Sequence, residues 1–358
     1  MAKSILIVDD SALVRKQLTE MIDTLDFDIV TAKNGKEAVD KATSFQYDVI
    51  TMDINMPVMD GIEAVRQIMQ AQPTPILMVS SLTTEDATIT MDALDLGAVD
   101  YIAKPGTMNV GKKENREEIL TKVSSLSRIS PRRLKRKMAR PATRERRRAE
   151  PTLSTRDTRV QPTFTSKDIE KVVLIGSSTG GPGLIEQICS ALPVNFKHPI
   201  CIVQHMPEQF TAAFAQRLDR ACVLPVLESK QNMELLPGHV YVARGGVHMN
   251  FAKKVSGKIV FREDKEKGKN FFQPSVNDMM ASALDVFEGK NLVGVILTGI
   301  GDDGADSMVK IKKAGAYTLG ENENSATVYG MPKEAYDRGG VSEQLDFSSI
   351  LKKIATLR

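Results

Sequence analysis

The sequence predicts two α/β domains, each built on a doubly wound sheet that is wholly or mainly parallel. Short apolar runs alternate with amphipathic stretches twice along the chain, first from Ser4 to Pro105 and again from residue 172 to near Leu319. Strands that alternate with helical segments in this way pair in parallel and carry helices on both faces of the sheet. The length of 358 residues also exceeds the size at which a single hydrophobic core keeps growing.

Five apolar runs predict the strands of an N-terminal (βα)5 unit. The segment after the first run has helical spacing: its apolar side chains fall on one face of the predicted helix, and Arg15, Lys16 and Glu20 fall on the other faces. A further helix from about Glu114 to Leu126 completes the unit. The five runs are SILIV, DIVTA, DVITMD, PILMVS and YIA, and the apolar face of the first helix is Val14, Leu18, Met21, Ile22 and Leu25.

A basic segment separates the two alternations. Between residues 128 and 168, charges, prolines and polar residues replace any apolar periodicity, which is typical of an exposed, flexible linker. The predicted organisation is therefore a first domain at 1–126, a linker at 127–168 and a second domain at 169–358. The runs of the second domain are VVLIG, PICIVQ, VYVA, KIVF, LVGVILTG and YTLG.

The composition is that of a globular protein: 42% of residues are hydrophobic and 26% are charged, and the net charge of +3 arises mainly in the linker. Cys189, Cys201 and Cys222 form no CxxC pair and lie in apolar stretches, which predicts buried thiols in a reducing compartment. No apolar run approaches membrane-spanning length, and the start MAKSILIVDDSALV has no cleavage-like site. We therefore expect a cytoplasmic protein without membrane insertion.

Charged and hydroxyl side chains stand where the N-terminal strands end. Asp9 and Asp10 follow the first strand, Asp53 ends the third, Ser80 ends the fourth and Lys104 follows the fifth. Carboxyl ends of parallel strands meet at one edge of the sheet, where clustered carboxylates suit Mg²⁺. A carboxylate beside Mg²⁺ can accept a phosphoryl group. Any single aspartate here could equally cap the following helix, but the joint pattern favours a phosphorylation site.

The N-terminal unit resembles the response-regulator receiver family of two-component systems. The resemblance covers residues 3–125 and rests on ILIVDDSALVR, VITMDINMPVMDG, MVSS and YIAKP. It implies phosphorylation of Asp53 by a histidine kinase, with Asp9 or Asp10 and the Asn55 carbonyl helping to bind Mg²⁺. The switch residues that it implies are Ser80, Tyr101 and Lys104.

The second domain opens with a strand, a glycine-rich turn and a helix start in VVLIGSSTGGP. Ser178 lies in this turn, where free amides at a helix start can stabilise an oxyanion, so it is a candidate nucleophile. The same pattern also suits a phosphate-binding loop or a helix cap. The next strand ends at His205, a possible general base for Ser178, although a lone histidine is more often structural. A third strand runs into Asp302 and Asp303, either of which could orient the imidazole.

The whole chain resembles the chemotaxis protein-glutamate methylesterases, response regulators that remove methyl esters from chemoreceptors. The resemblance rests on IGSSTGGP, VQHMPEQFT, GHVYVARGGVHM, LTGIGDDGADS and ATVYGMPKEA. It implies a serine hydrolase of receptor glutamate methyl esters that also deamidates receptor glutamines and needs no cofactor for this step. Arg244, Asp302 and Asn277 depart from residues common in the family. The implied roles are Ser178 as nucleophile, His205 as base, Asp303 as orienting acid, and Thr179 and Ile300 as oxyanion neighbours.

Two other functions fit parts of the sequence. A phosphorylation-controlled DNA-binding regulator fits the receiver and the basic linker, but an output domain of about 190 residues is far larger than a helix-turn-helix module, so no nucleic-acid partner is expected. A nucleotide-dependent oxidoreductase fits the GSSTGGP loop, but that site would want an acidic residue where His205 stands. The expected partners are methyl-accepting chemotaxis receptors and a histidine kinase.

Overall fold

The computed structural model describes residues 3–81, 83–105, 112–129, 134, 165–266 and 272–357. The N-terminal unit is a five-stranded parallel sheet in the order β2-β1-β3-β4-β5. Its strands are β1 (Lys3–Val8), β2 (Phe27–Ala32), β3 (Val49–Asp53), β4 (Ile76–Ser80) and β5 (Asp100–Ala103). Its helices are α1 (Ala12–Ile22), α2 (Gly35–Ser44), α3 (Gly61–Ala71), α4 (Thr84–Leu96) and α5 (Lys112–Leu126).

The C-terminal unit is a seven-stranded parallel sheet in the order β14-β13-β12-β6-β7-β9-β8. Its strands are β6 (Val172–Ser177), β7 (Ile200–Gln204), β8 (Val226–Glu228), β9 (Val240–Val242), β12 (Leu292–Ile296), β13 (Tyr317–Glu321) and β14 (Glu343–Leu345). Its helices are α6 (Pro182–Ala191), α7 (Glu208–Ala221), α8 (Val276–Leu284), α9 (Ala305–Lys313), α10 (Met331–Asp337) and α11 (Phe347–Ala355).

The two parallel sheets confirm the predicted fold class. The central strands β6, β7 and β12 are buried along their whole length, which is why their sequences are almost continuously apolar. The strand order reverses between β6 and β12, because β7 continues on one side of β6 and β13 on the far side of β12. In open parallel sheets ligands bind at such a switch point, beyond the carboxyl ends of the strands.

The KIVF run forms a strand, but not in the main sheet. It lies in β11 (Ile259–Asp264), which pairs antiparallel with β10 (His248–Lys253) in a separate two-stranded ribbon. The short turn between the two strands contains Gly257 at φ +82° and is too short for a parallel crossover. The first helix also ends earlier than its apolar pattern suggested: α1 stops at Ile22, and Leu25 lies in a following 3₁₀ turn.

Helix α4 of the N-terminal unit packs against α7 of the C-terminal unit. The ring of Tyr101 stacks on that of Phe210, with 4.5 Å between centroids and 3° between planes. Arg217 forms ion pairs with Asp92 at 3.4 Å and with Asp95 across this interface. The two units therefore share an interface with an apolar centre and a charged edge.

Several predictions concern features other than the sheets. The three cysteines are buried free thiols, as predicted. Most of the predicted linker, including its basic run, lies outside the described residues. In the part of the chain that the structure covers, no helix combines the length and hydropathy needed to cross a membrane.

Candidate active site

Ser178 lies in the turn between β6 and α6, at the switch point of the C-terminal sheet. Gly180 adopts φ +80°, and a Cβ there would lie 2.6 Å from Thr327. A Cβ on Gly181 would lie 2.3 Å from the Gln204 side chain. These two positions therefore require glycine for the sharp turn.

Hydrogen bonds from both neighbouring strands hold the Ser178 backbone. The Ser178 amide donates to the Thr298 carbonyl at 3.0 Å. The Gln204 side chain donates to the Ser178 carbonyl at 2.9 Å and accepts a hydrogen bond from the Ser177 hydroxyl at 2.7 Å. The serine is thus fixed at the edge of the sheet while its own side chain carries none of these contacts.

His205 follows β7, the strand next to β6, and its amide donates to the Ser177 carbonyl at 3.1 Å. The imidazole stacks on Phe272 with 3.9 Å between ring centroids. Its Nε2 lies 2.8 Å from Oδ2 of Asp303. Its Nδ1 is buried and has no hydrogen-bond partner in the described part of the chain, so the Ser178 hydroxyl is not bonded to it in this conformation. Such contacts often tighten only when substrate binds.

Asp303 is buried and surrounded by donors. Its Oδ1 accepts hydrogen bonds from the Ser275 hydroxyl and the Asn277 amide, both at 2.9 Å. Its Oδ2 accepts from the Val276 amide at 2.7 Å as well as contacting His205. Burial alone would raise the pKa of Asp303, but the bond to His205 and the two amides outweigh burial and lower it. The carboxyl group therefore stays ionised beside the imidazole.

Asp302, the other acid of the pair, points away from the imidazole. Its side chain is 61% exposed and pairs with Arg338 at 2.6 Å. Gly304 follows Asp303 at φ +95°, and a Cβ there would lie 2.7 Å from Val276, so this position needs glycine for Asp303 to lie against the first turn of α8. Of the two candidates from the sequence, only Asp303 contacts His205.

Thr179 and Ile300 flank Ser178 in the two loops at the switch point. The Thr179 carbonyl accepts a hydrogen bond from the Thr298 hydroxyl at 2.8 Å. Its own hydroxyl bonds to Asp100 of the N-terminal unit. Ile300 is half-buried in the glycine-rich loop after β12. The residue after the candidate nucleophile is therefore held by the other domain.

The acidic residues of the N-terminal unit also converge. Carboxylate oxygens of Asp9, Asp10 and Asp53 lie within 4.8 Å of one another. Lys104 contacts Asp53 at 2.8 Å and Asp9 at 3.3 Å. Burial raises the pKa of Asp9 and raises that of Asp53 to about 6. The positive charge of nearby Lys104 lowers both pKa values, but it offsets the cost of removing the carboxylates from water only in part. A divalent cation would supply the missing positive charge, and oxygen ligands of this kind fit Mg²⁺.

The predicted switch residues lie between this acidic cluster and the domain interface. Ser80 is buried at the end of β4, and its carbonyl accepts a hydrogen bond from the Lys104 amide at 2.8 Å. Tyr101 is buried against Phe210, and burial raises the pKa of its phenol well above the usual value. The Asn55 side chain donates to Asp86 at 3.2 Å, so the candidate cation ligand of this residue is its backbone carbonyl, as the sequence predicts.

Two family models match the chain, in the same order as the two sheets. The response regulator receiver domain matches residues 5–114, and the CheB methylesterase matches residues 173–354. The chain belongs to the CheB methylesterase family. A relative from Carboxydothermus hydrogenoformans, named protein-glutamate methylesterase/protein-glutamine glutaminase 2, is 44% identical over 99% of this chain and 98% of its own length.

Further relatives agree with this placement in the CheB family. The protein-glutamate methylesterase/protein-glutamine glutaminase of Caldanaerobacter subterraneus is 42% identical over 98% of this chain and 95% of its own length. The crystal structure of the Thermotoga maritima CheB methylesterase catalytic domain is 37% identical, with a TM-score of 0.50 over 52% of this chain and 98% of that one. This chain therefore resembles its curated relatives along nearly its whole length.

Sequence reasoning missed residues that support the site in this CheB-family chain. Ser275 caps α8 and binds Asp303, and Gln204 binds the Ser178 carbonyl. Glu321 is fully buried and accepts a hydrogen bond from the Thr298 amide at 2.9 Å. A signal for Ser275 was available, because Ser275 followed three residues later by Asp278 is an N-cap pattern. No local pattern marks Gln204 or Glu321.

Proposed function

We propose that this protein hydrolyses glutamate methyl esters on chemoreceptors, deamidates receptor glutamines and is switched by phosphorylation of Asp53. The contact of His205 with the buried Asp303, next to the Ser178 turn, is the observation that carries this proposal. The printed names of the relatives, which pair methylesterase and glutaminase, supply the substrate class.

The ester reaction passes two protons in turn through one imidazole, the first from Ser178 to methanol and the second from water back to Ser178. The Ser178 hydroxyl oxygen attacks the γ-carbonyl carbon of the methylated glutamate while Nδ1 of His205 takes the hydroxyl proton. The ester C–O bond then breaks, and methanol leaves with that proton. Water, deprotonated by the same nitrogen, then attacks the acyl-serine; the bond to the serine oxygen breaks, the imidazole returns the proton to that oxygen, and glutamate is released. A glutamine substrate follows the same course with ammonia as the leaving group.

The ring nitrogens have distinct roles in this mechanism. Asp303 contacts Nε2, and an ionised carboxylate there keeps a proton on that nitrogen. In the neutral ring, Nδ1 then carries the lone pair that can accept the serine proton. The charge that develops on the carbonyl oxygen is stabilised by backbone amides next to Ser178, for which Thr179 and Ile300 are the candidates.

Phosphorylation takes place on the carboxylate of Asp53 with a histidine kinase as phosphodonor. Asp9, Asp10, Asp53 and the Asn55 carbonyl would hold Mg²⁺, which offsets negative charge on the transferring phosphoryl group. Lys104 already contacts Asp53 and can bind an oxygen of the phosphorylated product. The phosphoryl group of the product carries about −1.5 to −2 charges in place of the single charge of the carboxylate.

The receiver restrains the catalytic domain through the surface that carries Asp100 and Tyr101. Asp100 binds the hydroxyl of Thr179, the residue after the nucleophile, and Lys122 contacts Asp100 at 3.3 Å. Burial alone would lower the pKa of Lys122, but the charges of Asp100 and Glu118 outweigh it and raise the pKa to about 12. We expect phosphorylation to weaken this interface, with a coupling of about 1 to 3 kcal/mol.

The proposed activity is tested by incubating the purified full-length protein with receptors that carry labelled methyl esters. Release of labelled methanol, together with conversion of a receptor glutamine to glutamate, would support both reactions. Absence of methanol release from several methylated receptors, with a phosphodonor and Mg²⁺ present, would contradict the proposal.

Replacing Asp53 by asparagine should abolish activation and leave unphosphorylated activity unchanged. The amide cannot accept a phosphoryl group, whereas the ester site does not use Asp53. With a small acyl phosphate and Mg²⁺, we expect methanol release by the wild type to rise about 5- to 150-fold. Activation of the Asp53→Asn variant to the same extent would rule out Asp53 as the site.

Removing Arg217 should raise the activity of the unphosphorylated enzyme. Arg217→Ala breaks the ion pairs to Asp92 and Asp95 that join α7 to the receiver. We expect a rise of about 2- to 10-fold in methanol release, because these ion pairs contribute only part of the coupling between the receiver and the catalytic domain. The matched control is Arg220→Ala on the same helix, where the side chain is exposed. Equal activity of both variants and the wild type would argue against restraint through this interface.

A further inference from the structure

A second histidine lies behind the catalytic aspartate. His248 is the first residue of β10, belongs to the GGVHM segment of the sequence and has a side chain that is 4% exposed. Its Nδ1 lies 3.2 Å from the Ser275 amide nitrogen and 3.0 Å from Oδ2 of Asp278. It can accept from the amide when unprotonated or donate to the carboxylate when protonated, and both partners belong to the first turn of α8. Ser275 and Asp278 are the cap and a first-turn residue of α8. The imidazole therefore anchors the beginning of that helix.

The same turn of α8 holds Asp303 from its other side. The Ser275 hydroxyl and the amides of Val276 and Asn277 donate to the two carboxylate oxygens of Asp303. Because Ser275 gives its amide to His248 and its hydroxyl to Asp303, one residue connects the two side chains. A shift of this turn would move the three donors that fix the orientation of Asp303.

We propose that His248 is a positioning residue for ester hydrolysis: it fixes the first turn of α8 and so holds Asp303 against His205. This inference rests on the proposed methylesterase function. Its effect passes through Ser275 and requires no contact of His248 with substrate.

The chemistry of Nδ1 defines which replacements keep this role. The first turn of α8 needs a polar atom at this position, to accept from the Ser275 amide or to donate to Asp278, and a buried polar group left without its partner costs about 1 to 3 kcal/mol. Asparagine can place a carbonyl oxygen near the position of Nδ1, whereas glutamine reaches toward the position of Nε2. The two variants are equally polar, so they differ mainly in where the acceptor lies.

The test compares kcat and KM for methanol release by wild type, His248→Asn and His248→Gln. Residues that hold a metal ligand from behind typically contribute about 10- to 100-fold to activity, and we expect an effect of this size for a residue that holds the catalytic aspartate. We expect His248→Gln to lower kcat by about 10-fold with KM within about twofold, and His248→Asn to keep kcat within about threefold of wild type. A thermal unfolding curve for each variant identifies general loss of folding. Equal kcat values for the two variants would overturn the proposal.

The link through Ser275 is tested by changing Ser275 itself, alone and together with residue 248. Ser275→Ala removes one of the three donors that this turn gives to Asp303 and should lower kcat by about 10-fold. Adding His248→Gln to it should cost clearly less than the same change costs in the wild type, because part of the effect of His248 passes through the Ser275 hydroxyl. A wild-type kcat for Ser275→Ala, or full multiplication of the two effects, would also overturn the proposal. An inactive wild type would instead contradict the proposed function.

Discussion

Replacing Ser178 by alanine should lower methanol release from methylated receptors by at least about 10⁴-fold. The alanine has no oxygen to form an acyl intermediate, and what remains is catalysis by the oxyanion site and substrate binding alone. The turn itself should survive, because the Ser178 amide and carbonyl, not its hydroxyl, make the hydrogen bonds to Thr298 and Gln204. Substrate affinity should therefore change little, and the loss should appear in kcat.

Ser177 provides the matched control for this loss. It precedes Ser178 in the same segment, is buried and bonds to Gln204 through its hydroxyl. Ser177→Ala should cost less than about 10-fold in kcat, because it removes one supporting hydrogen bond and leaves the nucleophile in place. Near-normal methanol release by Ser178→Ala, or an equal loss in both variants, would remove the nucleophile assignment.

Replacing Asp303 by asparagine should lower kcat by about 10³- to 10⁴-fold. Donors from Ser275 and Asn277 surround Oδ1, so the amide oxygen takes that side and the NH₂ group faces His205. An N–H aimed at Nε2 favours the ring form whose proton is on Nδ1. That nitrogen could then no longer accept the proton of Ser178. The effect is measured as kcat of the purified variant, and a thermal unfolding curve checks that the variant is folded.

The Asp302→Asn variant is the control that separates the specific effect of changing Asp303 from the effect of losing one negative charge. Its side chain is exposed and pairs with Arg338, away from the imidazole. Exposed ion pairs contribute about 0 to 1 kcal/mol, so Asp302→Asn should keep kcat within about threefold of wild type. A large loss in Asp302→Asn together with normal activity in Asp303→Asn would reverse the assignment of the orienting acid.

The sequence predicts the parts of this molecule that depend on local pattern. Continuous apolar runs identify buried parallel strands such as β6 and β12, because both faces of these strands are covered by helices. Polar residues that directly follow such strands must lie at one edge of the sheet. That rule brings Asp9 near Asp53 and His205 next to the Ser178 turn before any coordinates are known.

Contacts between distant segments could not be predicted in this way. The choice between Asp302 and Asp303 depends on Gly304 and on α8, which begins 27 residues before Asp303. The bond from Thr179 to Asp100 joins two domains, and neither residue lies in a pattern that indicates a partner. The antiparallel pairing of KIVF depends on a short turn and not on its apolar content.

The nucleophile is identified most directly by finding which residue a serine-directed phosphonofluoridate modifies in the active enzyme. We predict one covalent adduct, on the peptide that contains Ser178, formed in step with the loss of methanol release. The adduct should be absent from Ser178→Ala and should form much more slowly in Asp303→Asn. Complete inactivation with the label on another residue would contradict the claim that Ser178, activated by His205 and Asp303, is the nucleophile.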